Sequence, residues 1–502
     1  MKDTINDKSG NNQVKVMLIN PPQKYFNQSL GFNVYFPLGL LSVASMVRDM
    51  CSVKIFDCLI TDFEIKKTED FTLYGTPFNK VKEAIEDFNP DVVGITIPFS
   101  SQSENAKKIS RICRDINPKI KVVFGGPHAS VRYRHLLEEG SCDVCVVGEG
   151  EMAFRELMKG IVSNSNIFDI EGVAYIKDNE VKYKASKFFD NLDELPFPSY
   201  DLIDFHAYLE SPYLYKSRSA IPEKSISMIT SRGCPFNCIF CSIKSHMGRK
   251  FRFHSPDYVL RHLRFCIEKM GIRKFHFEDD NISQDKKRFE EILDKIIESK
   301  LDIKWDTPNG IRADTLDFNI LKKIKQSGCI SLQLAIESGN QRILNEVIKK
   351  RSSLDYIVKI IEYCKELEIK LAAFFVIGFP GETISDIKET IALALRLYKT
   401  YTVLPILLFA TPLYGTDLYK ICMEEGLIDR NLTDEDLATA TQFFGNPLIS
   451  TKNFSKEDLK KIANEFELEM DKLVGQDSFR KILTDKKSIF SSVEAVAQTP
   501  SS

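Results

Sequence analysis

No apolar run of about 18 residues occurs in this chain, so nothing in it reads as a bilayer-spanning helix. The first residues, MKDTINDKSGNNQ, have no apolar core and do not read as a secretory signal. Neither charge sign dominates. The formal net charge is -2, which leaves no global basic field for nucleic acid or anionic lipid. No self-similarity at a solenoid period is present. No G-x-G-x-x-G follows the first strand pattern, so the dinucleotide fingerprint is missing. Tryptophan is scarce too: Trp305 stands alone. These gaps point to a cytoplasmic protein without a membrane span or a nucleic-acid partner.

What is present is ordinary globular composition, 43% hydrophobic and 27% charged over 502 residues. At about 100–200 residues per domain, two to four domains fit that length. Twelve cysteines in such a chain do not imply a disulfide framework, because the cytosol keeps thiols reduced. Cys113, Cys266, Cys329 and Cys364 fall in helical or strand patterns and read as small buried hydrophobes.

Residues 1–13 read as a disordered lead-in. From 14 to 165, apolar runs alternate with helical patterns: VKVMLIN, SVKIFD, DVVGITI, KVVFGG and CDVCVVGEGE are the expected strands. Continuous apolar strands between helices predict a doubly wound parallel sheet, with ligands outside the strands' carboxyl ends. The loops there are Pro21–Gln23, Pro98–Gln102, Gly125–Ser130 and Gly148–Glu151. Residues 166–224, rich in Pro, Asp and aromatics, read as a linker on the surface. Residues 225–420 hold six strand–helix units, which suit a partial (β/α)6 barrel with chemistry at the strand ends. A helical region is expected over 421–475 and a disordered tail over 476–502.

Between Thr230 and Pro256 the chain reads TSRGCPFNCIFCSIKSHMGRKFRFHSP. Cys234, Cys238 and Cys241 stand at C-x3-C-x2-C among turn residues, not in a core pattern. Three thiolates can hold three irons of a cubane cluster and leave the fourth iron open. Zinc is the alternative, with His246 or His254 completing Cys3His.

This motif, with Phe240 before the last cysteine, resembles the radical S-adenosylmethionine signature, and the resemblance covers about residues 225–420. It implies that Cys234, Cys238 and Cys241 carry a [4Fe-4S] cluster whose open iron chelates S-adenosylmethionine, giving a 5′-deoxyadenosyl radical on reduction. It further implies S-adenosylmethionine contacts at Phe240, at Glu278, Asp279 and Asp280 on the second strand end, and at Arg312 on the third. Glu337 and Ser338 on the fourth, and Gly378 and Gly381 in VIGFPGE, complete that set. Each polar position has a plainer reading: Asp280 or Asn281, and Ser338 or Asn340, could simply cap helices.

Residues 14–165 resemble the cobalamin-binding domain that precedes some radical S-adenosylmethionine barrels, through VMLINPP, PLGLL, DVVGIT, VVFGGPHAS and VVGEGE. The resemblance implies corrinoid contacts at Pro22, Ser100, Gly125, Gly126, His128, Gly148 and Glu149. The chain departs from the family's D-x-H-x-x-G, whose histidine ligates cobalt. INPPQKYF stands there instead, and His128 reads as a structural or tail contact. A generic doubly wound domain is the alternative.

The expected activity is C-methylation at an unactivated carbon through the 5′-deoxyadenosyl radical and methylcobalamin. One rival keeps the cofactors but forms rings or rearranges. The other is a non-catalytic iron–sulfur or corrinoid redox sensor. Expected partners are a small-molecule, lipid or peptide substrate and a reductant such as flavodoxin or ferredoxin. Trp305 reads as core or pocket wall, and Arg249 and Lys250 beside FRF as a substrate contact or a solvated loop.

Overall fold

The computed structural model describes residues 13–26, 33–165, 167–214, 224–441, 445–475 and 479–484. Five parallel strands form the centre of the first domain, in the spatial order Val144–Val146, Lys121–Gly125, Val92–Thr96, Lys15–Asn20, Ser52–Asp57. Their residues are buried on both faces, as continuous apolar runs require. The order reverses between Lys15–Asn20 and its neighbours, and the crevice at such a switch point is where open sheets bind ligands.

The structure departs from the sequence reading in four places. The hairpin Val173–Lys177 and Glu180–Tyr183 extends this sheet antiparallel, inside the stretch read as linker. The remaining linker is not superficial either. Tyr200 and Tyr208 are buried; Tyr200 Oη lies 3.2 Å from His262 Nε2, and Tyr208 stacks on Phe36 at 4.7 Å. Its aromatics have no period because they fill a cleft rather than one face of an element. A three-stranded sheet, Gln23–Phe26, Phe71–Gly75 and Glu64–Lys67, was not legible, since EIKK is exposed throughout and carries no alternation. Finally, part of the expected tail is ordered: Phe479–Thr484 is helical and Phe479 packs edge-on to Phe466 at 5.8 Å. The rest of that tail and residues 1–12 lie outside the described residues.

The second domain is a six-stranded parallel sheet in sequence order: Ser225–Met228, Lys274–Phe277, Lys304–Ile311, Cys329–Glu337, Lys370–Ile377 and Leu404–Phe409. The first and last strands do not pair with each other, so the barrel is open. One apolar core runs from Leu41 and Phe154 through Tyr200 to Ile226 and Leu263, joining both domains. The helix Asp434–Thr441, beyond the barrel, returns to the first domain and packs on Ser100–Gln102. No helix among the described residues is long and apolar enough to cross a membrane.

Trp305 belongs to the barrel core. It is fully buried, its Nε1–H donates to the Ser327 carbonyl at 3.1 Å, and Phe277 meets it edge-on at 5.4 Å. Trp305→Ala is expected to cost about 3–5 kcal/mol, read as a lower urea midpoint by circular dichroism. An unchanged midpoint would take the indole out of the core.

Candidate functional site

The strand ends of both domains face one cavity of about 540 Å3. That size lies within the usual range for small-molecule sites. On the first domain its wall includes Leu18, Asn20, Thr96, Gly125, Gly126 and Gly148. On the barrel it includes Met228, Arg232, Glu278 and Asn309.

The glycines differ in why they are glycine. Gly126 (φ +94°) and Gly148 (φ +85°) have left-handed backbone, and a Cβ would come within 2.9 Å of Thr96 Oγ1 or 3.0 Å of Ser186 Oγ. Gly125 has no such constraint, because a Cβ there would meet only Val146 at 3.9 Å. Its bareness opens onto the cavity, which fits a bulky group lying against the strand end. Pro22, Ser100 and His128 do not line the cavity. The Pro22 carbonyl accepts from Asn105 Nδ2 at 2.8 Å. His128 is buried, with Nδ1 3.1 Å from Ser100 Oγ and Nε2 3.4 Å from Asp434 Oδ2. It docks the helix Asp434–Thr441 and is turned away from the cavity. Sequence reasoning missed Asn20 and Gln102: the Gln102 amide donates to the Pro21 carbonyl at 3.0 Å, and Asn20 donates to the buried Asp57 at 2.9 Å. Their place at strand ends was the available signal.

The three cysteines lie in the loop between two short paired strands, Ser231–Arg232 and Arg252–Phe253. Burial pushes all three thiols up, Cys241 to about 12. A metal must displace those protons to bind. Among the described residues no three Cys, His, Asp or Glu side chains converge on a single ion. His254 is engaged elsewhere, stacked on Tyr258 at 3.9 Å with Nδ1 3.5 Å from Asp193 Oδ1, whereas a cubane asks only that each thiolate take its own iron. Phe240 packs beside Phe379, with ring centroids 5.7 Å apart. The Arg312 guanidinium stacks 3.6 Å above the Phe236 ring, inside the loop, and is held by Asp314 at 2.7 Å and the Lys350 carbonyl at 2.9 Å. Arg312 braces the loop.

Of Glu278-Asp279-Asp280, only Glu278 reaches the cavity wall. Burial, with the Asp306 charge behind it, pushes its carboxyl to about 8. Asp279 is used inside the fold: it accepts from the Thr230 N–H at 3.1 Å and the Thr230 hydroxyl at 2.8 Å. Asp280 accepts from the Gly233 N–H at 2.9 Å and so ties the cysteine loop; burial raises it to about 6. The cap of the following helix is Asp285, not Asp280. Glu337 ends its strand at φ +72°, a strained setting for a non-glycine residue, and pairs with buried Lys350 Nζ at 2.8 Å. Ser338 is spent on Thr390 and the Asn340 N–H, while Asn340 caps the next turn through the Ile343 N–H at 3.0 Å. A Cβ at Gly378 (φ +93°) would strike Leu459 at 2.8 Å, and one at Gly381 (φ +95°) would press on Val347 at 3.3 Å. Both glycines are therefore required by the fold itself. Glu382 closes that turn: one oxygen accepts the Gly378 and Phe379 N–H groups at 2.7 Å, while Oε1 finds no partner among the described residues.

A family model for the B12 binding domain matches residues 32–158, and one for the radical SAM superfamily matches residues 228–394. An uncharacterized methyltransferase from Pyrococcus horikoshii is 32% identical over 454 residues, 90% of this chain and 91% of the relative. The chain belongs to the B12-dependent radical SAM enzymes. A cytidylyl-2-hydroxyethylphosphonate methyltransferase from Streptomyces wedmorensis is 28% identical over 83% of each chain. The fold is also that of the cobalamin-dependent S-adenosylmethionine radical enzyme OxsB, with a TM-score of 0.70 at 17% identity over 96% of this chain and 71% of that one. As a B12-dependent radical SAM enzyme, the protein uses a [4Fe-4S] cluster, S-adenosylmethionine and cobalamin.

Gly125→Leu should leave the unfolding midpoint unchanged while weakening cobalamin binding at least about tenfold, or about 1.4 kcal/mol; unchanged affinity in a spectroscopic titration would move the corrinoid elsewhere. The Glu278 carboxyl sits above its ordinary 4.5, so the stability it gives is full below that value and is lost as pH rises through about 8. Cofactor-free Glu278→Gln should thus gain on the wild type between about pH 5 and pH 9, by on the order of 4 kcal/mol. Parallel urea midpoints at both ends would contradict this.

Proposed function

We propose that this enzyme methylates an unactivated carbon of a small-molecule substrate. The observation that carries the proposal is the single cavity bounded by strand ends of both domains, Gly125, Gly126 and Gly148 on one side and Met228, Glu278 and Asn309 on the other. The cysteine loop reaches that cavity through Arg232, His246 and Met247, so in this reading radical generation borders the space where the methyl group is delivered. Relatives at 28–32% identity bear methyltransferase names, and magnesium-protoporphyrin cyclases match at a lower 23–26%; the higher identity supports methyl transfer over ring formation.

In this reading Cys234, Cys238 and Cys241 each hold one iron, and the first domain's strand ends hold the corrinoid. Bound together, the three cofactors supply a 5′-deoxyadenosyl radical and a transferable methyl group. The chain's own residues do the rest. Arg312 and Asp280 fix the cysteine loop from its two sides. Glu278 is kept protonated by burial and would give up its proton to face an ammonium group. Apolar side chains such as Leu18, Val123, Phe154 and Met228 keep water from the cavity, where a radical would otherwise be quenched. The reductant in this reading is flavodoxin or ferredoxin, in the cytoplasm.

The test counts products from S-adenosylmethionine. Reconstituted enzyme with reductant and cobalamin should form S-adenosylhomocysteine as well as 5′-deoxyadenosine, and each Cys→Ala variant should abolish the deoxyadenosine. Deoxyadenosine alone would favour ring formation or rearrangement, and neither product from a protein with its cluster would contradict catalysis.

A further inference from the structure

The base of the cysteine loop is closed by a like-charged pair. Ser231–Arg232 and Arg252–Phe253 are antiparallel, and Arg232 stands opposite Arg252 in register. The two positions bracket all three cysteines. Like charges directly opposite each other in a ladder repel. Here both are also out of water: the side chains are 11% and 2% exposed. An unpaired buried guanidinium in either place would be strongly unfavourable.

The compensation comes from the other domain. Glu149 grips Arg252 with both oxygens, 2.9 Å at Nη1, and lies 3.4 Å from Arg232. Glu151 takes Arg232 Nη2 at 2.7 Å and is itself steadied by the Ser42 hydroxyl at 2.7 Å. These carboxylates are 3% and 5% exposed. They belong to the turn after Val144–Val146 and the start of the helix Gly150–Val162, at the rim of the corrinoid cavity. Asp280 lies near both arginines, but its carboxylate accepts from the Gly233 N–H. Arg252 also donates to the Met247 carbonyl at 2.9 Å, so both ends of the cysteine loop are gripped.

We propose that the B12-binding domain is part of the cluster site: Glu149 and Glu151 neutralise the arginine pair that closes the cysteine loop, and so govern how well the chain retains its cluster. They act as positioning residues, through Arg232 and Arg252. The inference rests on Cys234, Cys238 and Cys241 as the cluster ligands. It goes beyond docking strength, because the loop is closed only when two carboxylates arrive from a separate domain.

The test uses the full chain reconstituted with iron, sulfide and cobalamin, then desalted anaerobically. Glu149→Gln/Glu151→Gln should hold at least three-fold less iron and sulfide than the wild type, with a matching loss of the reduced-cluster EPR signal. Glu64→Gln, on an exposed strand, should match the wild type. Adding Arg232→Gln and Arg252→Gln to the double variant removes the repulsion and should restore the iron. Should the double variant not fold, Glu151→Gln with and without Arg232→Gln carries the same comparison. Wild-type iron content in the carboxylate variant, or iron that stays low once the arginines are neutralised, would overturn the proposal. No methyl transfer is needed for this readout. A wild type holding four irons yet making no S-adenosylhomocysteine would end the methylation reading and leave this one standing.

Discussion

Four charges held away from water set the relation between the two domains. Glu149 and Glu151 on one side and Arg232 and Arg252 on the other are all nearly inaccessible. Breaking such a set by removing one partner costs on the order of 3–5 kcal/mol, because the other partner stays buried and unpaired. Burial alone would raise the Glu151 carboxyl, yet the Arg232 guanidinium holds it at about 2. Its contribution is therefore present above its ordinary 4.5 and is lost only as pH falls toward 2. The apolar core that runs through both domains is non-directional. The ion pairs supply the direction, and fix which strand ends meet.

From that fixed relation the site follows. On the first domain the cavity is shaped by backbone: Gly126 and Gly148 would be strained by a side chain, and Gly125 leaves its strand end bare. Behind the barrel side, other strand-end groups serve the loop rather than the cavity: Asp279 under Thr230, Asp280 at Gly233, Arg312 on Phe236. Much of the polar equipment at these strand ends holds a cysteine loop still. Fewer groups, with Glu278 foremost, are left to face what binds.

The parallel strands of both domains were legible because continuous apolar runs between helical periods admit few other arrangements. The cysteine loop was legible because three thiols among turn residues do not suit a core. The short sheet around Glu64–Lys67 was hidden, since its residues are exposed and its pairing is non-local. The connector's burial was hidden for the converse reason: aromatics filling an irregular cleft leave no period. Contact direction is where the residue pattern was weakest. His128 sits beside the corrinoid domain's strand ends but turns to Asp434, more than three hundred positions away, and Ser338 turns to Thr390. Nor could spacing show that Glu149 and Glu151 would meet arginines from another domain.

In the proposed reading the corrinoid lies in the cavity between the domains and the cluster borders it on the cysteine loop. The most direct measurement is the electron-spin relaxation of bound cob(II)alamin, with the cluster first oxidised and diamagnetic, then reduced and paramagnetic. A shared cavity predicts markedly faster relaxation when the cluster is reduced, and slower relaxation again in a Cys→Ala variant without a cluster. Relaxation indifferent to the cluster's oxidation state would put the corrinoid outside the cavity and contradict the account.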